Sequence, residues 1–145
     1  MLLYEENFMQ HFVSPVTIPG IGDAQGVIDN LAARHEVIAI ILFGSVARGQ
    51  SRKFSDIDIC VIAKKVPEAV KMDLLSYGSE KIDVSLFHEL PVTIRFRVIH
   101  EGKILACRDT LALHAIMTDT VRKYLDIAPF IRRNCNQVLG ITGGV

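Results

Sequence analysis

The chain has 145 residues, of which 50% are hydrophobic and 22% charged, which suits one compact domain with its own core and excludes a disordered polypeptide. Its 16 basic and 16 acidic residues cancel to a formal charge of zero, and that argues against a cationic nucleic-acid binder with a wide electrostatic footprint. The cancellation is uneven: residues 1–43 hold one Arg against five acids, while residues 44–55 hold Arg48, Arg52 and Lys53 and no acid.

The first eighteen residues are mixed. They begin MLLYEENF, with acids where a secretory leader carries positive charge, so no targeting segment is expected. Tyr4, Phe8 and Phe12 recur at i, i+4 and i+8. Core packing or a mobile end is the simpler reading of that stripe, and a partner-facing surface is the alternative. Pro15, Pro19, Gly20 and Gly22 make 14–23 a loop. Val27, Ile28, Leu31 and Ala32 then predict a helix from Asp23 to His35. Val37–Phe43 is β-branched and apolar on both faces, as a central buried strand is, and Gly44 ends it. The run is too short to cross a bilayer.

Asp56–Ala63 predicts a second strand, with Ile57, Ile59 and Val61 on one side and Asp56, Asp58 and Cys60 on the other. Pro67 opens a helix to about Tyr77, stopped by Gly78. Lys81–Phe87 is a third strand, in which Asp83 and Ser85 alternate against Ile82, Val84 and Leu86. Pro91–Glu101 is divided. Its alternation favours a strand, while Pro91 before it and Gly102 after it favour a helix. Lys103–Cys107 is short and strand-like. Asp109 can cap a helix to Tyr124, and Pro129 can open a separate last helix to Leu139. The expected architecture is α/β or α+β, one small mixed sheet covered by helices, with 1–22 as an extension, 23–139 as the domain and 140–145 as a tail.

Cys60, Cys107 and Cys135 are odd in number, widely spaced and without a C-x-x-C pair. A disulfide framework or cysteine zinc site is not expected, and a reducing cytoplasm is. Burial as small apolar groups suits Cys60 and Cys107. His11, His35, His88, His100 and His114 lack ligand spacing, and Arg122-Lys123 and Arg132-Arg133 read as solvated faces.

The chemistry is concentrated in Phe43–Asp58, which reads F-G-S-V-A-R-G-Q-S-R-K-F-S-D-I-D. Gly44 allows close backbone approach, and Ser45 offers a hydroxyl and a backbone N–H at the head of a short helix where phosphate can settle. Arg48, Arg52 and Lys53 can offset a polyphosphate. A period of two places Asp56 and Asp58 on one face of a strand, roughly 6.5–7 Å apart along it. Hard cations such as Mg²⁺ take one or two carboxylates together with substrate phosphates. Asp83, on the next predicted strand, can face the same side, and three carboxylates can share two ions. A lone D-x-D or a lone Gly-Ser is unremarkable. The combination with a ten-residue gap between Ser45 and Asp56 is far more specific. Neither a P-loop nor a G-x-G-x-x-G fingerprint is present.

Gly44-Ser45, the gap, Asp56-Ile57-Asp58 and Asp83 resemble the signature of the polymerase-β-type nucleotidyltransferase superfamily. The small size and the stretch Arg97–Leu105 are similar to its minimal nucleotidyltransferases, many of which are antitoxins paired with a HEPN-domain toxin. The resemblance runs from about Asp23 to Arg133 and implies a helix at Pro91–Glu101. It further implies that Gly44, Ser45 and Arg48 hold a nucleoside triphosphate, and that Asp56, Asp58 and Asp83 bind Mg²⁺ and carry catalysis. Asp83 is the best placed to help deprotonate the acceptor. The implied reaction moves AMP from ATP to a tyrosine hydroxyl of the toxin. A non-catalytic antitoxin that neutralises its toxin by complex formation is the alternative. Transfer to a small molecule ranks last, since the chain leaves little room for a substrate domain. No membrane partner is implied, and assembly with itself or with the toxin is open.

Overall fold

The computed structural model describes residues 22–47 and 56–138. A 3₁₀ turn at Gly22–Ala24 leads into α1 (Gln25–Ala32), followed by β1 (Val37–Phe43) and a short helix α2 (Gly44–Ala47). Further along the chain come β2 (Ile57–Ala63), α3 (Glu68–Leu75), β3 (Ile82–Leu86), a 3₁₀ turn at Phe87–Glu89, α4 (Val92–Glu101), β4 (Lys103–Cys107) and α5 (Thr110–Val138). The sheet order is β3-β2-β1-β4; β1 is antiparallel to β2 and β4, and β2 is parallel to β3.

Both central strands are buried on both faces, which is why β1 is apolar throughout. One face packs Ile57, Ile59, Val61, Ile82 and Val84 against Ile28 and Leu31 of α1 and Leu74 of α3. The other packs Ile41, Cys60, Ile62 and Phe87 against Val98 of α4 and Leu113 of α5. These two helices are joined by Phe96 and Tyr124, whose rings stack at 3.8 Å between centroids. Arg34 ties the entry of β1 to α3 through an ion pair with Asp73, and it also pairs with Glu36 at 3.2 Å. Hydrogen bonding to Glu36 is the first cause that raises the Arg34 guanidinium pKa, and the same bond lowers that of the Glu36 carboxyl.

The divided segment is a helix over Val92–Glu101, with Pro91 before it and Gly102 after it, so the residues at its limits outweigh its alternation. The two helices expected after Asp109 are instead one, with Pro129 inside α5. Proline leaves the Leu125 carbonyl without its helical donor, but Leu125 and Phe130 are 62% and 67% exposed, so water is at hand to take that place. Cys60 and Cys107 are buried and free. No helix among the described residues is long and apolar enough to cross a membrane. Tyr4, Phe8, Phe12, the expected extension and the tail lie outside the described residues.

Candidate active site

β1 ends at Phe43, which pairs across the sheet with Asp58 near the start of β2. Asp58 in turn pairs with Asp83 of β3 in parallel register. Because both aspartates alternate against buried isoleucines, they fall on the same sheet face as Cys60 and Ile62, at the end where the apolar cover runs out. Asp58 is half-buried, and Asp56 and Asp83 are exposed. Neighbouring strands lie about 4.8 Å apart, so Asp58 and Asp83 stand side by side across the two strands.

Gly44 turns the chain from β1 into α2 with a φ of 78°. A Cβ placed there would collide with the Asp58 carboxylate. The space that glycine leaves open is therefore filled by Asp58, and the carboxylate is seated against the head of α2. Sequence reading assigned Gly44 to ligand approach and missed this contact. Gly102 does a related task after α4: a side chain there would strike the Val98 carbonyl and Ile41, and would crowd the Leu42 carbonyl at 3.1 Å. It brings the end of α4 against β1, one residue from the strand's exit. The glycine after the helix was the only signal for it.

The aspartates singled out in the sequence offer hard oxygens, the donor type that Mg²⁺ takes rather than a soft metal. Asp56, Asp58 and Asp83 do not form a closed cage, since no group of three or more His, Cys, Asp and Glu among the described residues is placed to hold an ion. The backbone of Gly44 and Ser45 lies in α2, as expected of a helix head there. The Ser45 side chain, Arg48, Arg52 and Lys53 lie outside the described residues.

A four-stranded mixed sheet with helices on both faces, and a helix head at Gly44-Ser45 set against Asp58, is the arrangement of a nucleotidyltransferase fold. Residues 25–111 match the family model described as polymerase beta, nucleotidyltransferase, and the chain belongs to that family. It is 34% identical over 70 residues to MJ1547 of Methanocaldococcus jannaschii, named as a candidate protein adenylyltransferase, a match that spans 48% of this chain and 56% of the relative. MJ1305 of the same organism, named likewise, is 54% identical over 33 residues, or 23% of this chain and 22% of the relative. The matches thus span about half of one of these relatives and less of the other.

The fold is similar to that of a chain in a toxin–antitoxin crystal structure with AMP-PNP, at a TM-score of 0.64, 21% identity and coverage of 79% of this chain and 97% of that one. It is also similar to a chain in a structure of a tri-AMPylated Shewanella oneidensis HEPN toxin in complex with MNT antitoxin, at a TM-score of 0.59, 17% identity and coverage of 96% and 99%.

Proposed function

We propose that the chain is a Mg²⁺-dependent nucleotidyltransferase that moves AMP from ATP to a tyrosine hydroxyl of a HEPN toxin, and thereby acts as that toxin's antitoxin. The observation that carries this reading is the pairing of Asp58 with Asp83 in register, with the Asp58 carboxylate seated against Gly44 where α2 begins. Family membership supports nucleotidyl transfer. The names of the M. jannaschii relatives support a protein acceptor, and the fold neighbours support a HEPN toxin as that acceptor. Two buried free cysteines fit the reducing cytoplasm.

Asp56, Asp58 and Asp83 would hold Mg²⁺, as two ions on this reading. Bound there, the metal supplies neutralisation of phosphate charge and orientation of the phosphate oxygens. Backbone N–H groups of Gly44 and Ser45 bind the triphosphate, and Arg48 adds positive charge beside it. Asp83, exposed at the sheet edge, takes the proton of the acceptor hydroxyl. The hydroxyl oxygen bonds to the α-phosphorus as the bond to pyrophosphate breaks. Positioning and charge complementarity at the phosphates supply most of the rate.

The test incubates the protein with α-labelled ATP, Mg²⁺ and a HEPN-domain toxin. Label should enter a toxin tyrosine with wild type and fall to background with the Asp56→Ala/Asp58→Ala double variant. Equal labelling by the two proteins, or full neutralisation of the toxin by the double variant, overturns the catalytic reading. The second result would leave complex formation as the means of neutralisation.

A further inference from the structure

β2, α3 and β3 form a parallel β–α–β unit. Its amino ends carry Asp58 and Asp83. Its carboxyl ends, Ala63 and Leu86, lie at the opposite end of the sheet, which in open α/β sheets is where ligands settle. A cavity of about 360 Å³ opens there, within the range of small-molecule sites. Its apolar lining is half-buried Val66 with Ala63 and Leu86 at the base, over the fully buried Val61 and Phe87.

The rim is cationic. Lys64, Lys65 and Lys71 line it against one acid, Glu89. Glu89 is already engaged by Lys71 at 2.6 Å, and Glu68 lies 3.8 Å from the same ammonium. Lys64 and Lys65 have no ion-pair partner among the described residues. His88 also lines the cavity, where burial first, and then the charges of Arg95 and Lys123, hold its pKa below the ordinary histidine value against the weaker pull of Glu89 and Asp119. An apolar floor beneath two uncompensated ammonium groups discriminates for a ligand with both features. A free phosphate lacks the apolar body, and a neutral hydrocarbon lacks the charge.

We propose that this cavity is a second binding site, separate from the aspartate end, for a small organic anion with a flat apolar or aromatic body. Charge pairing at Lys64 and Lys65 orients the acidic group, and the floor takes the body.

Titration of ¹⁵N-labelled protein with naphthalene-2-sulfonate tests it. Saturable shifts are expected at the amides of residues 61–66 and 86–89, and not at Asp56, Asp58 or Asp83. Sodium sulfate and 2-naphthol, which separate charge from ring, should each bind at least tenfold more weakly. A Lys64→Glu/Lys65→Glu variant, altered only at exposed positions, should keep the thermal midpoint and lose at least tenfold in affinity for the probe. Shifts that are absent or centred elsewhere overturn the proposal. So does 2-naphthol binding as tightly as the sulfonate, or undiminished affinity in a folded variant. An Asp58→Asn variant should bind the probe unchanged, so failure of nucleotide transfer leaves this test intact.

Discussion

At the scale of single residues, Gly44 and Asp58 are one device. The glycine adopts a φ of 78° that side chains resist, and it leaves the volume that the aspartate's carboxylate occupies. Gly44→Ala brings both penalties at once. It should destabilise the protein by about 1–3 kcal/mol in urea unfolding and abolish the AMP transfer proposed above. The collision can be separated from the backbone strain. In the background of Asp58→Ala, the same Gly44→Ala change should cost measurably less, because the atoms it strikes are gone. An equal cost in both backgrounds would place the whole effect on φ and refute the packing account. This contact was not legible in the sequence although each partner was. Residues 44 and 58 meet only because Phe43 pairs with Asp58 across two antiparallel strands, and pairing partners are not written in local spacing.

At the scale of elements, the two ends of α5 respond differently to change. At its start, the Asp109 carboxylate accepts the Ala112 N–H at 3.0 Å and so caps the helix. The first turns are anchored by buried Leu113 and Thr120. Asp109→Ala should therefore lower global stability by about 1 kcal/mol, read as a shift in the urea midpoint. Pro129 lies among exposed residues that do not support the core. Pro129→Ala restores the missing hydrogen bond, and it should raise helical ellipticity at 222 nm while leaving the urea midpoint of the domain unchanged. A large gain in global stability would mean that the distal half of α5 packs on the domain.

The elements also show where sequence signals suffice. β1 is recovered residue for residue at Val37–Phe43, because a strand buried on both faces is a continuous apolar run between polar limits. Pro91–Glu101 offered two periods at once, and its helical state follows from Val98 facing the core while Gly102 presses against β1. Pro129 misled because a proline signals a helix start only when the segment before it has reason to stop. The candidate site was legible as a spacing of Gly-Ser and three aspartates. Its degree of closure was not, since the distance between Asp56, Asp58 and Asp83 depends on strand register and side-chain direction.

At the scale of the whole molecule, the zero net charge conceals local pairs that set how stability depends on pH. Glu36, Glu89 and Asp119 are held below their ordinary values, first by hydrogen bonds from Arg34, Lys71 and Lys123 respectively. His88 is held below its ordinary value chiefly by burial. In all four the unfolded chain binds protons more readily, so each contributes stability above its unfolded pKa and loses it as pH falls. His88 acts first, below the usual histidine value of about 6.5, and the carboxyls follow below about 4.5.

Cys60 runs the other way, because burial pushes its thiol up to about 12 and it stays protonated where the unfolded thiol ionises. Cys107 is raised in the same direction and for the same leading cause. The contribution of each is present below the ordinary thiol value near about 8.5 and is lost as pH rises beyond it. Urea midpoints measured from pH 4 to pH 10 should therefore form a plateau between about pH 7 and 8.5, with one flank on each side. His88→Gln should flatten the first acidic step, between about pH 6.5 and 5.5, and leave the carboxyl step in place. Cys60→Ala should lower the whole curve through the cavity it leaves and soften the alkaline flank. A wild-type curve that keeps rising from pH 8.5 to 10 would be incompatible with a buried, protonated Cys60.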